Sequence, residues 1–347
     1  MIKSSKKTAE KNRGKNSKVI PVVDKSGGGL SYSEQKIRPS RFVDIVGRDQ
    51  EKKTIKMMVS SAKKRKEVVD HILFYGPPGL GKTTFAMAIA NEIGSSIRIT
   101  SGPAIERQGD LAAILTGLKP NDVLFIDEIH RLSPTVEEIL YPAMEDRALD
   151  IIMGKGPSAK TIRLNLEPFT LIGATTRIGK ISPPMRDRFG LVQRLDFFEQ
   201  EDMSNIIKRA CKLWNIQMED EALELLSRCS RGTARIGLRL LRRVRDYALD
   251  QGKDVVTLDI VQSTFELLGI DNMGLEGIDR KILDLILNSF GGGPVGLSTL
   301  AASISEDEGT LSEVHEPYLM KCGFIKRTSR GRVLTEKGVR YISRLYG

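Results

Sequence analysis

Cysteine and histidine are scarce in this chain, and their scarcity removes whole classes of function. The three cysteines, Cys211, Cys229 and Cys322, stand far apart with no CxxC pairing, and His71, His130 and His315 are equally dispersed. Neither a disulfide framework nor a zinc site is indicated. No apolar run approaches the roughly 20 residues that a membrane span requires, and Met1 is not followed by the charged, apolar and small-residue order of a secretion signal. The chain is therefore expected in a reducing cytoplasm, without a membrane partner. An excess of acid is missing too: 54 Lys and Arg against 44 Asp and Glu leave a formal charge of +10. That balance suits an anionic partner such as nucleic acid, or serves solubility alone. A length of 347 residues implies two or three domains, each able to bury a core.

Against this background one stretch carries specific chemistry. Gly76-Pro77-Pro78-Gly79-Leu80-Gly81-Lys82-Thr83 is a full GxxxxGK[ST] phosphate-binding loop. It follows the apolar run Ile72–Tyr75, which reads as a buried strand, and precedes Phe85, Ala86, Ile89, Ala90 and Ile93, which recur at helical spacing. Gly79, Gly81 and their neighbours let successive backbone N–H groups turn onto phosphate oxygens, and the helix that starts near Gly81 adds its positive end. Lys82 is expected on the β- and γ-phosphates, Thr83 on Mg²⁺ and Thr84 on the α-phosphate of a nucleoside triphosphate. A second match, Val123–Ile126 ending in Asp127-Glu128, reads as a central parallel strand with carboxylates at its ligand-facing end. Asp127 is placed to hold the water shell of Mg²⁺, and Glu128 to polarise an attacking water toward the γ-phosphate. His130, two residues on, reads as a structural or relay group.

Residues 1–34 carry Lys3, Lys6, Lys7, Lys11, Arg13, Lys15 and Lys18 among Ser and Gly, the composition of a disordered basic tail, either a solvated charge run or a non-specific attraction to phosphate backbones. An α/β domain is expected over 35–199, with further strands at Ile97–Thr100 and Phe169–Ile172 alternating with helices. Residues 149–166 break that alternation with two short strand runs about a Gly-Pro turn, a β-hairpin. From 200 to 272 the apolar residues keep helical periods, implying an all-α domain. Residues 273–347 give helices at 280–288, 298–304 and 311–322, then a basic turn between two short strands. That order is a winged helix, with Arg327, Arg330 and Arg332 converging on the turn to meet DNA phosphates rather than base edges.

These residues together resemble the RuvB family, the Holliday junction branch migration motors of the AAA+ class. The likeness rests on Ile37-Arg38-Pro39, the phosphate loop, Leu124–Leu132, Tyr141–Asp146, Leu171–Arg177, Arg186-Asp187-Arg188-Phe189-Gly190 and Gly291–Leu297, and runs from about Ile37 to the end. It implies a large P-loop AAA+ domain, a helical lid and a winged helix. It also implies an ATP- and Mg²⁺-dependent hydrolase of the helicase type in recombination, DNA repair and the SOS response. The partners implied are duplex DNA and the junction, a RuvA-type protein docked through hairpin 149–166, a RuvC-type resolvase in the larger complex, and copies of the chain itself in a homohexamer.

The resemblance further assigns roles residue by residue. Thr176 corresponds to the sensor that orients the lytic water. Arg188 resembles the arginine finger that reaches the neighbouring subunit's site, an effect of the order of 10³–10⁵ in rate in comparable systems; Arg186 is the lesser candidate. Arg235 matches the second sensor, linking the lid to the γ-phosphate in the same subunit. Ile37 and Arg38 match the adenine-pocket segment, and Phe198 stands where a tyrosine is usual. Glu145-Asp146-Arg147 matches a segment that approaches the adjoining subunit's nucleotide, with Arg147 in place of the usual aromatic. On the hairpin, Ile151, Ile152 and Ile162 are the candidates for partner contact. Two other readings share the AAA+ module: a replication-initiator switch, against which the hairpin and the Arg-Asp-Arg-Phe-Gly string argue, and a sliding-clamp loader, whose last domain is a helical collar without a basic wing.

Overall fold

The computed structural model describes Val22–Val23, residues 37–153 and residues 160–346. Its centre is a six-stranded parallel sheet of β1 (Val22–Val23), β2 (Ile72–Tyr75), β3 (Ile97–Ser101), β4 (Val123–Asp127), β7 (Thr170–Thr175) and β8 (Leu191–Arg194), in the order β1-β3-β4-β7-β2-β8. The outlying hairpin is β5 (Ala148–Met153) with β6 (Lys160–Asn165), and its turn lies outside the described residues. Strand β8 is legible only weakly in the sequence, because an edge strand with Val192 and Arg194 exposed and Gln193 between them lacks a continuous apolar run. Val22–Val23 belongs to the stretch read as disordered, yet its two β-branched residues pair with Arg98 and Ile99.

Residues of the inner strands alternate between two cores, as the pleat demands. Ile72, Phe74, Phe125 and Ile172 face the helices Asp49–Arg65 and Lys82–Ile93, and this core runs without interruption into the lid. Leu73, Leu124, Ile126 and Leu171 face the helices Gln108–Thr116 and Pro134–Glu145. Gly173 on β7 is tightly packed: a Cβ there would stand 3.0 to 3.2 Å from the side-chain ends of Leu73, Ile129 and Phe189, which would have to shift. The order β4-β7-β2 brings the carboxyl ends of three strands side by side, so the phosphate loop, Asp127-Glu128 and Thr175-Thr176 open on one edge.

The lid consists of helices Gln200–Trp214, Asp220–Cys229, Ala234–Asp250 and Leu258–Leu267, with a two-residue parallel pairing of Val255–Val256 and Gln217–Met218 that the helical periodicity conceals. The winged helix has its own core. It is built from helices Gly277–Asn288 and Leu297–Ile304, a bipartite helix spanning Glu308–Thr310, Leu311–His315 and Glu316–Lys321, strands Ile325–Thr328 and Gly331–Leu334, and a closing helix Glu336–Tyr346 that the sequence reading does not contain. Lid and winged helix are joined by a buried ionic cluster. Arg231 donates to Asp279 at 2.6 Å and to the Gly274 carbonyl at 2.9 Å, and His315 Nδ1 meets the other Asp279 oxygen at 2.7 Å. Burial alone would raise the Asp279 carboxyl, but its bonds to His315 and the charge of Arg231 hold it below the ordinary range. No helix among the described residues is long and apolar enough to cross a membrane.

Candidate functional site

A cavity of about 300 Å³ opens where the lid meets the sheet edge. The phosphate loop forms its floor from Pro78 to Thr84, Asp127 and Glu128 one wall, and Arg235 with Leu238 and Arg242 of the lid the other. Ile37, Arg38, Pro39, Phe198, Ile206, Arg209 and Trp214 close the apolar end. Gly79 has φ +80°, and a Cβ on it would lie 2.8 Å from the Cβ of Arg235, so only glycine allows the lid to approach the loop this closely. Next to Gly81 a Cβ would meet nothing nearer than 3.8 Å, which leaves the mouth of the loop open.

Lys82 is buried, and its ammonium donates to the carbonyls of Gly76 at 2.7 Å and Pro77 at 3.0 Å. Desolvation lowers its pKa to about 8 in spite of Asp127 and Glu128 nearby. Burial, reinforced by Glu128, raises the Asp127 carboxyl above its usual range. A pocket that pushes a lysine down and an aspartate up is one short of counter-charges, and a magnesium triphosphate supplies both signs. Thr83 and Asp127 line the same space, giving hard oxygen donors of the kind Mg²⁺ prefers.

Glu128 lies at the end of β4 in the left-handed region, φ +49°, a conformation costly for a side chain with a Cβ and often retained at functional sites. Its Oε2 accepts from the Thr176 hydroxyl at 3.3 Å and lies 3.1 Å from His130 Nδ1, while His130 also meets the Thr175 hydroxyl at 2.9 Å. Burial, followed by Arg177, Lys180 and Arg131, lowers His130 to about 4, so at neutral pH it is an uncharged strut between β4 and β7. Thr176 does not line the cavity but is hydrogen-bonded to a residue that does.

Glu145, Asp146, Arg147 and Arg188 stand away from this cavity. Arg188, at the end of the short helix Pro183–Asp187, donates to the Pro184 carbonyl at 2.7 Å and to Glu145 at 3.0 Å, with its guanidinium 4.5 Å above the Tyr141 ring. Its Nε is buried without a hydrogen-bond partner. Asp146 pairs with Arg163 at 2.7 Å, and Arg147 adopts φ +53° at the start of the hairpin. Glu145, Asp146, Arg147 and Arg188 thus form one surface beside the hairpin, none of them lining the chain's own cavity.

At the apolar end, Phe198 packs under Arg48, whose guanidinium carbon is 4.4 Å from the ring centroid, a cation over the ring face. Arg209 donates to the Ile37 carbonyl at 2.6 Å and fixes that segment. Arg209, Trp214 and Arg242 are cavity residues that the sequence reading omits. Arg209 and Trp214 lie on one amphipathic helix and Arg242 on another, and nothing in those helical patterns says which cavity their flanks face.

The wing differs from expectation. Arg327 and Arg332 both clasp the buried Glu316, at 2.8 to 3.0 Å through two nitrogens each, and together hold its carboxyl low against the effect of burial. Arg332 is little exposed and is committed to this pair, Arg327 is half-exposed, and Arg330 is exposed. On the hairpin, Ile162 is 42% exposed, whereas the side chains of Ile151 and Ile152 lie outside the described residues.

Three family models cover nearly all of the described chain. Residues 37–195 match the Holliday junction DNA helicase RuvB P-loop domain, 198–271 the RuvB AAA lid domain, and 272–343 the RuvB C-terminal winged helix domain. Among solved structures, the Thermotoga maritima RuvB Holliday junction branch migration motor is 48% identical, superposes with a TM-score of 0.81 and is matched over 88% of this chain and 98% of its own. A single-substitution mutant of the same Thermotoga maritima protein gives 48% identity and a TM-score of 0.82 over 89% and 99%.

Proposed function

The chain belongs to the RuvB family, AAA+ ATPases that act as Holliday junction branch migration motors, and on that premise we propose that it works as a homohexameric ring that hydrolyses ATP between subunits and pumps duplex DNA through its centre. A RuvA-type protein holding the junction would dock on hairpin 149–166 through exposed apolar side chains such as Ile162, and a RuvC-type resolvase would join the larger assembly. The process served is recombination and DNA repair in the cytoplasm, including repair under the SOS response.

In this reading ATP lies with its phosphates on the loop and its base among Ile37, Arg38 and Phe198. Lys82 leaves the Gly76 and Pro77 carbonyls for the β- and γ-phosphates, and Thr84 meets the α-phosphate. Thr83 and Asp127 would hold Mg²⁺, which would supply positive charge against the negative charge of the transferring phosphoryl group. Glu128 takes a proton from the attacking water, with Thr176 orienting the carboxylate and His130 bracing it. Arg235 binds the γ-phosphate from the lid of the same subunit, so that loss of the phosphate releases the lid. Arg188 enters the site of the next subunit, flanked by Glu145, Asp146 and Arg147, and stabilises charge on the transferring group.

The observation that carries this reading is Arg188: a guanidinium with a buried, unpartnered Nε, outside its own nucleotide cavity and paired with Glu145. The wing contributes Arg330 foremost to phosphate contact, a sequence-indifferent mode suited to a motor. The test is a purified ATPase reaction with linear duplexes of unrelated sequence, followed by junction movement with a RuvA-type protein. We expect repeated turnover stimulated by every duplex. Stimulation by one sequence only, with slow turnover, would favour an initiator-like switch.

A further inference from the structure

Thr176 is claimed by two carboxylates from different domains. Its hydroxyl lies 3.3 Å from Glu128 Oε2 and 3.2 Å from Oε2 of Glu313 in the winged helix. The next residue, Arg177, forms an ion pair with the same Glu313, and one of its terminal nitrogens lies 3.2 Å from where a Cβ on Gly309 would stand. Residues 307–313 of the winged helix are therefore seated on the end of β7, against the residues that hold Glu128.

The seating is built into the helix. Leu311–His315 is a π-helical segment, a local widening that is rare and concentrated at functional sites. The extra residue in the turn separates the jobs of three neighbouring side chains: His315 and Glu316 turn inward to Asp279 and the wing arginines, while Glu313 turns outward to the ATPase domain. This helix occupies the place of the recognition helix in a winged helix-turn-helix, yet the carboxylates it leaves unburied are Glu308 and Glu313. Carboxylates suit a contact with Arg177 and do not suit DNA.

A hydroxyl has one proton to donate. When Thr176 gives it to Glu313, it no longer fixes the Glu128 carboxylate or a water beside it. We infer that Glu313 is a positioning residue for hydrolysis, acting through Thr176: with the winged helix seated it draws the sensor hydroxyl off Glu128 and holds turnover low, and engagement of the wing by DNA lifts it away. The inference rests on the function proposed above and adds its regulation.

The experiment compares the full-length chain with Glu313→Ala, Glu313→Gln and, as a control on the same helix, Glu308→Ala. Without DNA, Glu313→Ala should raise kcat on the order of tenfold, the scale set by one charged hydrogen bond, and leave KM for ATP unchanged because Glu313 does not line the nucleotide cavity. Its stimulation by duplex should shrink correspondingly. Glu313→Gln keeps an acceptor for Thr176 but loses the charge that pairs with Arg177, and should fall between; Glu308→Ala should match the parent. Amide exchange of residues 307–315 should quicken in Glu313→Ala. A DNA-free kcat equal to or below the parent's, or unchanged exchange, overturns the inference. A parent that hydrolyses no ATP under any condition would count against the function reading instead, and the exchange measurement then decides the contact alone.

Discussion

Lys82 shows how much of the nucleotide site is electrostatic preparation. Without a nucleotide its ammonium rests on two loop carbonyls, and burial brings its pKa to about 8. A triphosphate needs the cation, so binding above that pH must take up a proton. We predict that ATP affinity is flat below pH 8 and falls by up to about tenfold per unit above it, with the proton uptake visible by calorimetry in buffers of different ionisation heat. Affinity that stays constant to pH 9.5 would show that the lysine is not desolvated as described. Glu128 and His130 illustrate the reverse: their mutual support depends on φ +49° at Glu128 and on the neutrality of His130. Neither property is a matter of residue type. The string Asp127-Glu128-Ile129-His130 identifies the carboxylates, and only the fold shows what holds them.

At the level of elements, what could be read in the sequence followed from how local the constraint is. The phosphate loop and the strands β2, β4 and β7 were legible because close backbone approach to phosphates and burial on both faces each demand a contiguous string. Arg209 and Trp214 were not, since lid packing alone turns that helix flank toward the cavity. The wing shows contacts of another kind. Three arginines around a glycine turn read as a phosphate-binding patch, but two of them neutralise Glu316, sixteen residues before Arg332 and on another element. This separates their phenotypes. Glu316→Ala should cost about 3 kcal/mol, since it strands the largely buried Arg332, and should appear as a lowered melting temperature of the winged helix. Arg330→Ala should leave melting unchanged, weaken binding to all DNA sequences alike and reduce the salt slope by about one. An Arg330 variant with selective loss at one sequence would contradict phosphate contact.

For the whole molecule, continuity of the cores decides what moves with what. The lid shares its core with one face of the sheet, whereas the winged helix has a separate core and is tied on by the Arg231–Asp279–His315 cluster and by Lys321, which donates to the Phe198 carbonyl at 3.2 Å. In the proposed reading, a γ-phosphate held by Arg235 would pull on the lid and, through that junction, on the winged helix. The resemblance made the three-part order legible in the sequence; the docking of Glu313 on Thr176 was not, because it joins residues 137 positions apart on two domains. The account as a whole depends on catalysis being shared between two copies of the chain. Glu128→Gln subunits keep Arg188, and Arg188→Ala subunits keep Glu128, so mixing the two variants should restore complete sites at half-and-half interfaces. Neither variant alone should turn over ATP, and the mixture should. If the mixture is as inert as its components, or if Arg188→Ala alone hydrolyses ATP at the parent rate, the shared site does not exist.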